Sequence, residues 1–200
     1  MSYAAAQLDR MLAGLVIPCY VVGVDLVAAK VRVTDGGDWT SAWVRWHAIA
    51  AGKARHWRAP SMGEQGALVS PSGEPAQGTF IPGLYGNAGA QPDNRDHVEV
   101  WRFDDGGSLV YDWAANSYTI KLPTGTVNIE VGGSKAVLTD NAITAKSTAI
   151  SAEAESITAK ATQITLQGAV QIDGALRVTG DILGLGKIID TGGNTANHKH

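Results

Sequence analysis

The chain has 200 residues, a net charge of −3 and a single cysteine, Cys19. The length allows one large domain or two small ones, and the lone thiol excludes an intrachain disulfide, so stability must come from packing or association. The slight acidity gives no reason to expect nucleic acid as a specific ligand, because chains that bind phosphate carry a clear excess of Lys and Arg. The most apolar N-terminal run, residues 11–29, is interrupted by Pro18 and Asp25 and has no basic region before it. Neither a membrane span nor a secretory signal is expected, and synthesis in the cytoplasm without export of its own follows.

Residues 2–12 predict a short helix or a loosely held arm, since Ala4 to Ala6 favour helix and Leu8, Met11 and Leu12 make a modest apolar face. From Val16 the pattern becomes strand-like, with Val21-Val22, Val24 and Val31-Arg32-Val33. Asp35-Gly36-Gly37-Asp38 is a turn signal, and residues 39–46 resume with Trp, Val and Trp. A Gly-, Arg- and Pro-rich loop over 52–66 precedes short strands at 67–70 and 77–84. Several short strands with this punctuation predict a small barrel or sandwich. Gly63 and Gly66 allow a tight turn before a strand, and Trp57 is expected to close one end of the barrel.

The set Trp46, Ala51-Gly52, Trp57, Ala59-Pro60, Gly63-Glu64-Gln65, Ser70-Pro71-Ser72-Gly73 and Gly78 resembles the N-terminal OB-type domain of the baseplate assembly protein V family. Pro60-Ser61-Met62-Gly63-Glu64-Gln65 is its most specific part. Members of that family are the central spikes of contractile phage tails, and of related tailocins and secretion machines. The resemblance implies a barrel docked on the baseplate hub protein at the end of the tail tube. An OB-like barrel also serves nucleic-acid and sugar binding, so the barrel alone does not decide function.

Residues 85–96 read as a Gly- and Pro-rich linker. A hairpin follows over 97–112, turning at Asp104-Asp105-Gly106-Gly107, and a second pair of strands is expected around 118–122 and 126–131. Composition then changes. All six tryptophans and both phenylalanines lie in the first 113 residues, and Tyr118 is the one aromatic residue from Ala114 onward. Such a stretch has too little large apolar surface to offset about 1–2 kcal/mol of backbone entropy per residue as a monomer.

Ile143, Ile150, Ile157 and Ile164 nevertheless recur at a fixed interval of seven. A coiled coil needs a second apolar seam three or four places on, where this chain has Lys146, Glu153, Lys160 and Gln167, then Ser147, Ala154, Ala161 and Gly168. Thr or Ser after each Ile suits narrow β layers, stacked one upon the next and shared with copies of the chain. Val170, Ile172, Leu176, Val178, Ile182 and Leu185 continue the series, and crowded glycines up to Gly186 suit a narrowing cross-section. Glu153 and Glu155 are expected on a solvated face.

The chain finishes with His198-Lys199-His200. On an extended segment, residues two apart point the same way, so one chain offers two imidazoles and three chains on an axis offer six. Six ligands suit an octahedral metal better than zinc's usual four-coordinate geometry. The resemblance implies more: in such spikes a His-x-His pair from three copies holds one buried iron at the tip. In many relatives further residues follow that pair, which implies a more open site at His200. Whether chloride or calcium also sits on the threefold axis is left open. His47, His56 and His97 have no partner at ligand spacing and are expected in loops or on the surface.

The expected architecture is all-β: an N-terminal arm or helix over 1–15, an OB-fold barrel over 16–84, the linker 85–96, an intertwined trimeric β-helix shaft over 97–190, and a metal-binding apex over 191–200 with His198 and His200 as ligands. The leading function is a homotrimeric, non-enzymatic spike of a phage virion or tailocin particle, made in the bacterial cytoplasm and piercing the bacterial outer membrane. A trimeric tail adhesin or carbohydrate-binding module, using Trp39, Trp43 or Trp46, is the alternative. A polysaccharide-cleaving enzyme on a single-chain β-helix is a third reading. It needs larger coils and grouped acids that this chain lacks.

Overall fold

In the computed structural model, residues 3–187 are described. The chain divides into two compact units, Met1–Ser147 and Thr148–His200. In the first, α1 (Tyr3–Ala13) precedes β1 (Val16–Asp25), β2 (Lys30–Thr34), β3 (Val44–Trp46), β4 (Gln65–Val69) and β5 (Thr79–Leu84). These five strands close a barrel in the order β1-β2-β3-β5-β4, in which β3 and β5 pair parallel and the other neighbours antiparallel.

The barrel core is Cys19, Val21, Val31, Val33, Val44, Leu68 and Phe80, with Ile17, Val24, Trp39 and Trp46 packed against it. The expected strand over 39–46 shrinks to three residues, because Ser41 is spent on side-chain chemistry. Its Oγ accepts from the Val33 amide and donates to the Ala42 carbonyl, tying the loop across β2. Gly66 is required by packing: a Cβ there would lie 2.6 Å from the Phe80 ring. The bulge at Val21/Gly23 bends β1 as it changes neighbours.

The expected helix forms, but none of its residues is buried. It ends where Gly14 meets the turn after β4: a Cβ on Gly14 would lie 2.6 Å from the Gly73 carbonyl oxygen. Trp57 does not close the barrel. Its ring leans on Trp46 at 5.4 Å while 62% of its surface is exposed, so Trp46 fills the core side and Trp57 caps it from outside.

Beyond the barrel come two three-stranded antiparallel sheets. One has β6 (Val98–Arg102), β7 (Ser108–Asp112) and β8 (Ser117–Lys121), and the other β9 (Val127–Val131), β10 (Ser134–Leu138) and β11 (Ile143–Lys146). The Asp104-Asp105 turn forms as expected: Asp105 Oδ1 accepts from the Gly107 amide and Gly106 adopts φ +84°. Strand β10 and its pairing with the first repeat were not anticipated. Lys135 pairs with Glu130 across the ladder at 2.6 Å, and Ser134 Oγ meets Ser147 Oγ at 2.8 Å. Of the seven-residue repeats only the first, Ile143–Lys146, is a strand, and residues 148–187 form no helix or strand within this chain.

Candidate functional site

Three parts of the chain carry functional chemistry: the loop that joins barrel strands, the neck that begins at the end of the linker, and the repeat seam. The Pro60–Gln65 motif holds the first together. Gly63, at φ +78°, donates its amide to the Val21 carbonyl, and the Glu64 carbonyl accepts from the Val21 amide. The buried Glu64 carboxylate accepts from the Ser61 amide at 2.9 Å and from Arg58 at 3.2 Å. A carboxylate removed from water needs such partners. The motif is thus a staple that pins loop 47–64 to β1.

The neck begins with an ion-pair clasp. Asp93 accepts from Arg95 through both oxygens, at 3.1 and 2.8 Å, and Arg95 reaches on to Asp112 at 2.9 Å. The guanidinium's fork and its bonds hold the Asp93 carboxyl well below the usual carboxylate range. The Ala115 amide, foremost, holds Asp112 down as well, and the His97 ring does the same for Asp96 at 2.9 Å. This clasp escaped the sequence reading. Its signal was an Asp-x-Arg step before a hairpin that ends in Asp.

One face of β6–β8 is aromatic. The pairs Glu99↔Tyr111, Trp101↔Leu109 and Tyr111↔Tyr118 set these side chains side by side. They border a shallow groove of about 160 Å³. Glu99 Oε1 accepts from Trp101 Nε1 at 3.1 Å, and His56 from the barrel loop stands edge-on to Trp101 at 6.2 Å.

In the repeat, Ile143, Ile150, Ile157 and Ile164 expose between 55% and 81% of their surface. Leu166, Val170, Ile172, Leu176, Val178 and Ile182 are exposed too. Glu153 and Glu155 are solvated, as expected. A row of large aliphatic side chains in water on a single chain is a surface awaiting cover.

The metal ligands expected from sequence, His198 and His200, lie outside the described residues. Among the described residues, no three His, Cys, Asp or Glu side chains converge as a metal site. His47 is exposed, His56 packs on Trp101, and His97 pairs with Asp96. The tryptophan platform of the adhesin reading is not assembled, because Trp39 and Trp46 are turned to the core and Trp43 alone is outward.

Comparison with known proteins now bears on these parts. Residues 17–85, the barrel, match the model of the Type VI secretion system/phage-baseplate injector OB domain. Residues 99–184, from β6 through the repeats, match that of the Gp138 beta helical trimerization domain. Over 200 residues the chain is 28% identical to the spike protein of Escherichia phage P2, covering 97% of this chain and 90% of that one. The chain thus joins a stretch similar to a phage-baseplate injector OB domain to one similar to a beta helical trimerization domain, and resembles a phage spike protein along most of its length. For such a spike the exposed isoleucines have a place, since they fall inside the stretch that matches a trimerization domain. A baseplate spike is a virion-associated protein, and the OB-domain match associates this one with the baseplate. No described helix is long and apolar enough to cross a membrane.

Proposed function

We propose that the spike acts as a homotrimer at the tip of a contractile injection apparatus, docks through its barrel on the hub at the end of the tail tube, and punctures the target outer membrane mechanically. The observation that carries this reading is the row Ile143, Ile150, Ile157 and Ile164, exposed on one chain. Burying each against its copies contributes about 1.5–3 kcal/mol, repeated layer after layer. Strands shared between chains also hide the edges that a lone narrow strand would present. The reading assigns no catalysis to the chain. Its function lies in stiffness and a narrow section.

At the apex, His198 and His200 supply two imidazoles per chain, and three copies supply six nitrogen donors. That donor set suits one octahedral iron per trimer, which would tie three chain ends together. Light scattering of the full chain should give a trimer, and a clean monomer would remove the spike mechanism. Elemental analysis should find iron in the wild type and none in His198→Ala/His200→Ala. Equal metal in both would remove the apex assignment while leaving the trimer standing.

A further inference from the structure

The chain's charge is unevenly placed. Residues 43–63 hold Arg45, Lys53, Arg55 and Arg58 with no Asp or Glu, a net +4 in a chain of net −3. Residues 93–112 hold six carboxylates against Arg95 and Arg102, a net −4. The first segment is the barrel loop stapled by Glu64, and the second is the neck. Arg58 is engaged by Glu64, whereas Arg45, Lys53 and Arg55 are exposed and, among the described residues, make no ion pair. On the neck, Asp93 and Asp112 are engaged by Arg95, whereas Asp104 is exposed, and Asp105 bonds the Gly107 amide of its own turn.

The two segments meet in one chain, through the His56–Trp101 ring contact, yet no ion pair joins them. The loop therefore reaches the neck without matching its charge there. From residue 99 on, including the Asp104-Asp105 turn, the neck lies within the stretch that matches a trimerization domain, so copies of that part are expected side by side. A patch on one copy that fits a different patch on the next is a heterologous contact, and it closes into a ring when copies are related by a threefold axis.

We propose that the basic loop, through Lys53 and Arg55, docks on the acidic β6–β7 turn, Asp104 and Asp105, of the neighbouring copy. This inference rests on the trimeric spike reading and deepens it. Three such contacts would lock each barrel to the next chain's neck, so that collar and shaft move as one body under axial load. Charge complementarity of this kind selects partner and register, and it weakens with salt.

The test uses the full-length chain. Light scattering comes first, and a monomer would remove the trimer reading and this inference together. On a confirmed trimer, carbodiimide joins touching Lys and carboxylate side chains directly, and denaturing gels separate single-chain from multi-chain products. Peptides linking Lys53 to Asp104 or Asp105 should occur in the two- and three-chain bands and fade at high salt. Asp104→Lys/Asp105→Lys should abolish them without dissolving the shaft. Combining that variant with Lys53→Glu/Arg55→Glu should restore interchain links of opposite polarity. A trimer whose Lys53 links stay within one chain overturns the inference, as does one whose Lys53 forms none. The latter outcome would leave the loop free for the hub or an anionic envelope polymer.

Discussion

The barrel and the repeat region solve the same problem in opposite ways. The barrel buries Phe80, Leu68, Val21, Val31 and Val33 almost completely within one chain. The repeats leave every one of their four isoleucines more than half exposed. A closed barrel supplies both faces of its core from a single chain, whereas a thin layer with one large apolar residue in seven has only one face. Foldedness is therefore a property of the chain in the first region and of the assembly in the second.

The sharpest break in that contrast is Ile157→Asp. It places three carboxylates together on the axis, where removal from water without a partner is prohibitive. Sedimentation should show loss of trimer while the barrel's tryptophan fluorescence stays native. A normal trimer would mean that Ile157 does not face inward.

Next in size is Phe80→Ala, which should cost the barrel about 3–5 kcal/mol, as removal of a buried aromatic ring does. Denaturant titration should move only the barrel's transition and leave the shaft trimer in place. If both transitions move together, the two regions are not independent.

Arg95→Ala tests the neck between them. Asp93 and Asp112 have depressed folded-state pKa values, so their contribution is present above the ordinary carboxylate pKa of about 3.9 and is lost as pH falls through the lower folded values. Wild type should hold the neck, followed by acid-protease (pepsin) cleavage beside Phe103, to a lower pH than Asp93→Asn does. Arg95→Ala should loosen it modestly at neutral pH, because the pairs are partly exposed.

The smallest effect concerns Cys19, whose thiol is pushed up to about 11, chiefly by burial. A thiol reagent at pH 8 should label it only as fast as the barrel opens. Rapid labelling of the native trimer would contradict its place in the core.

The helix, most barrel strands and the β6–β7 hairpin were legible because each leaves a local mark. Alternation marks β2, the glycine pair marks the turn after Asp105, and alanines mark α1. The isoleucine period announced a shared core without saying how it is built. β10 was missed because Ser134–Leu138 shows no alternation, opening Ser-Lys-Ala and placing Val137 and Leu138 side by side, and it becomes a strand only by pairing between Val127–Val131 and the first repeat. Trp57 was expected to close one end of the barrel because of its large ring, but Trp46 already fills the core side of that position. Site residues divide the same way: the Pro60–Gln65 motif is contiguous and visible, whereas Arg95 acts on Asp112, seventeen positions away.

By itself the sequence determined where the chain changes character: aromatic and closed before Trp113, small and periodic after it. It also determined that the periodic part needs copies of itself, because one isoleucine in seven cannot balance the entropy of ordering the rest. Tertiary structure alone decided which tryptophans are core and which are surface, and how Glu64 turns a loop motif into a staple. It decided too that Arg95 spans the two ends of a hairpin. Those outcomes depend on residues distant in sequence competing for the same space or the same charge, and no local pattern records who wins.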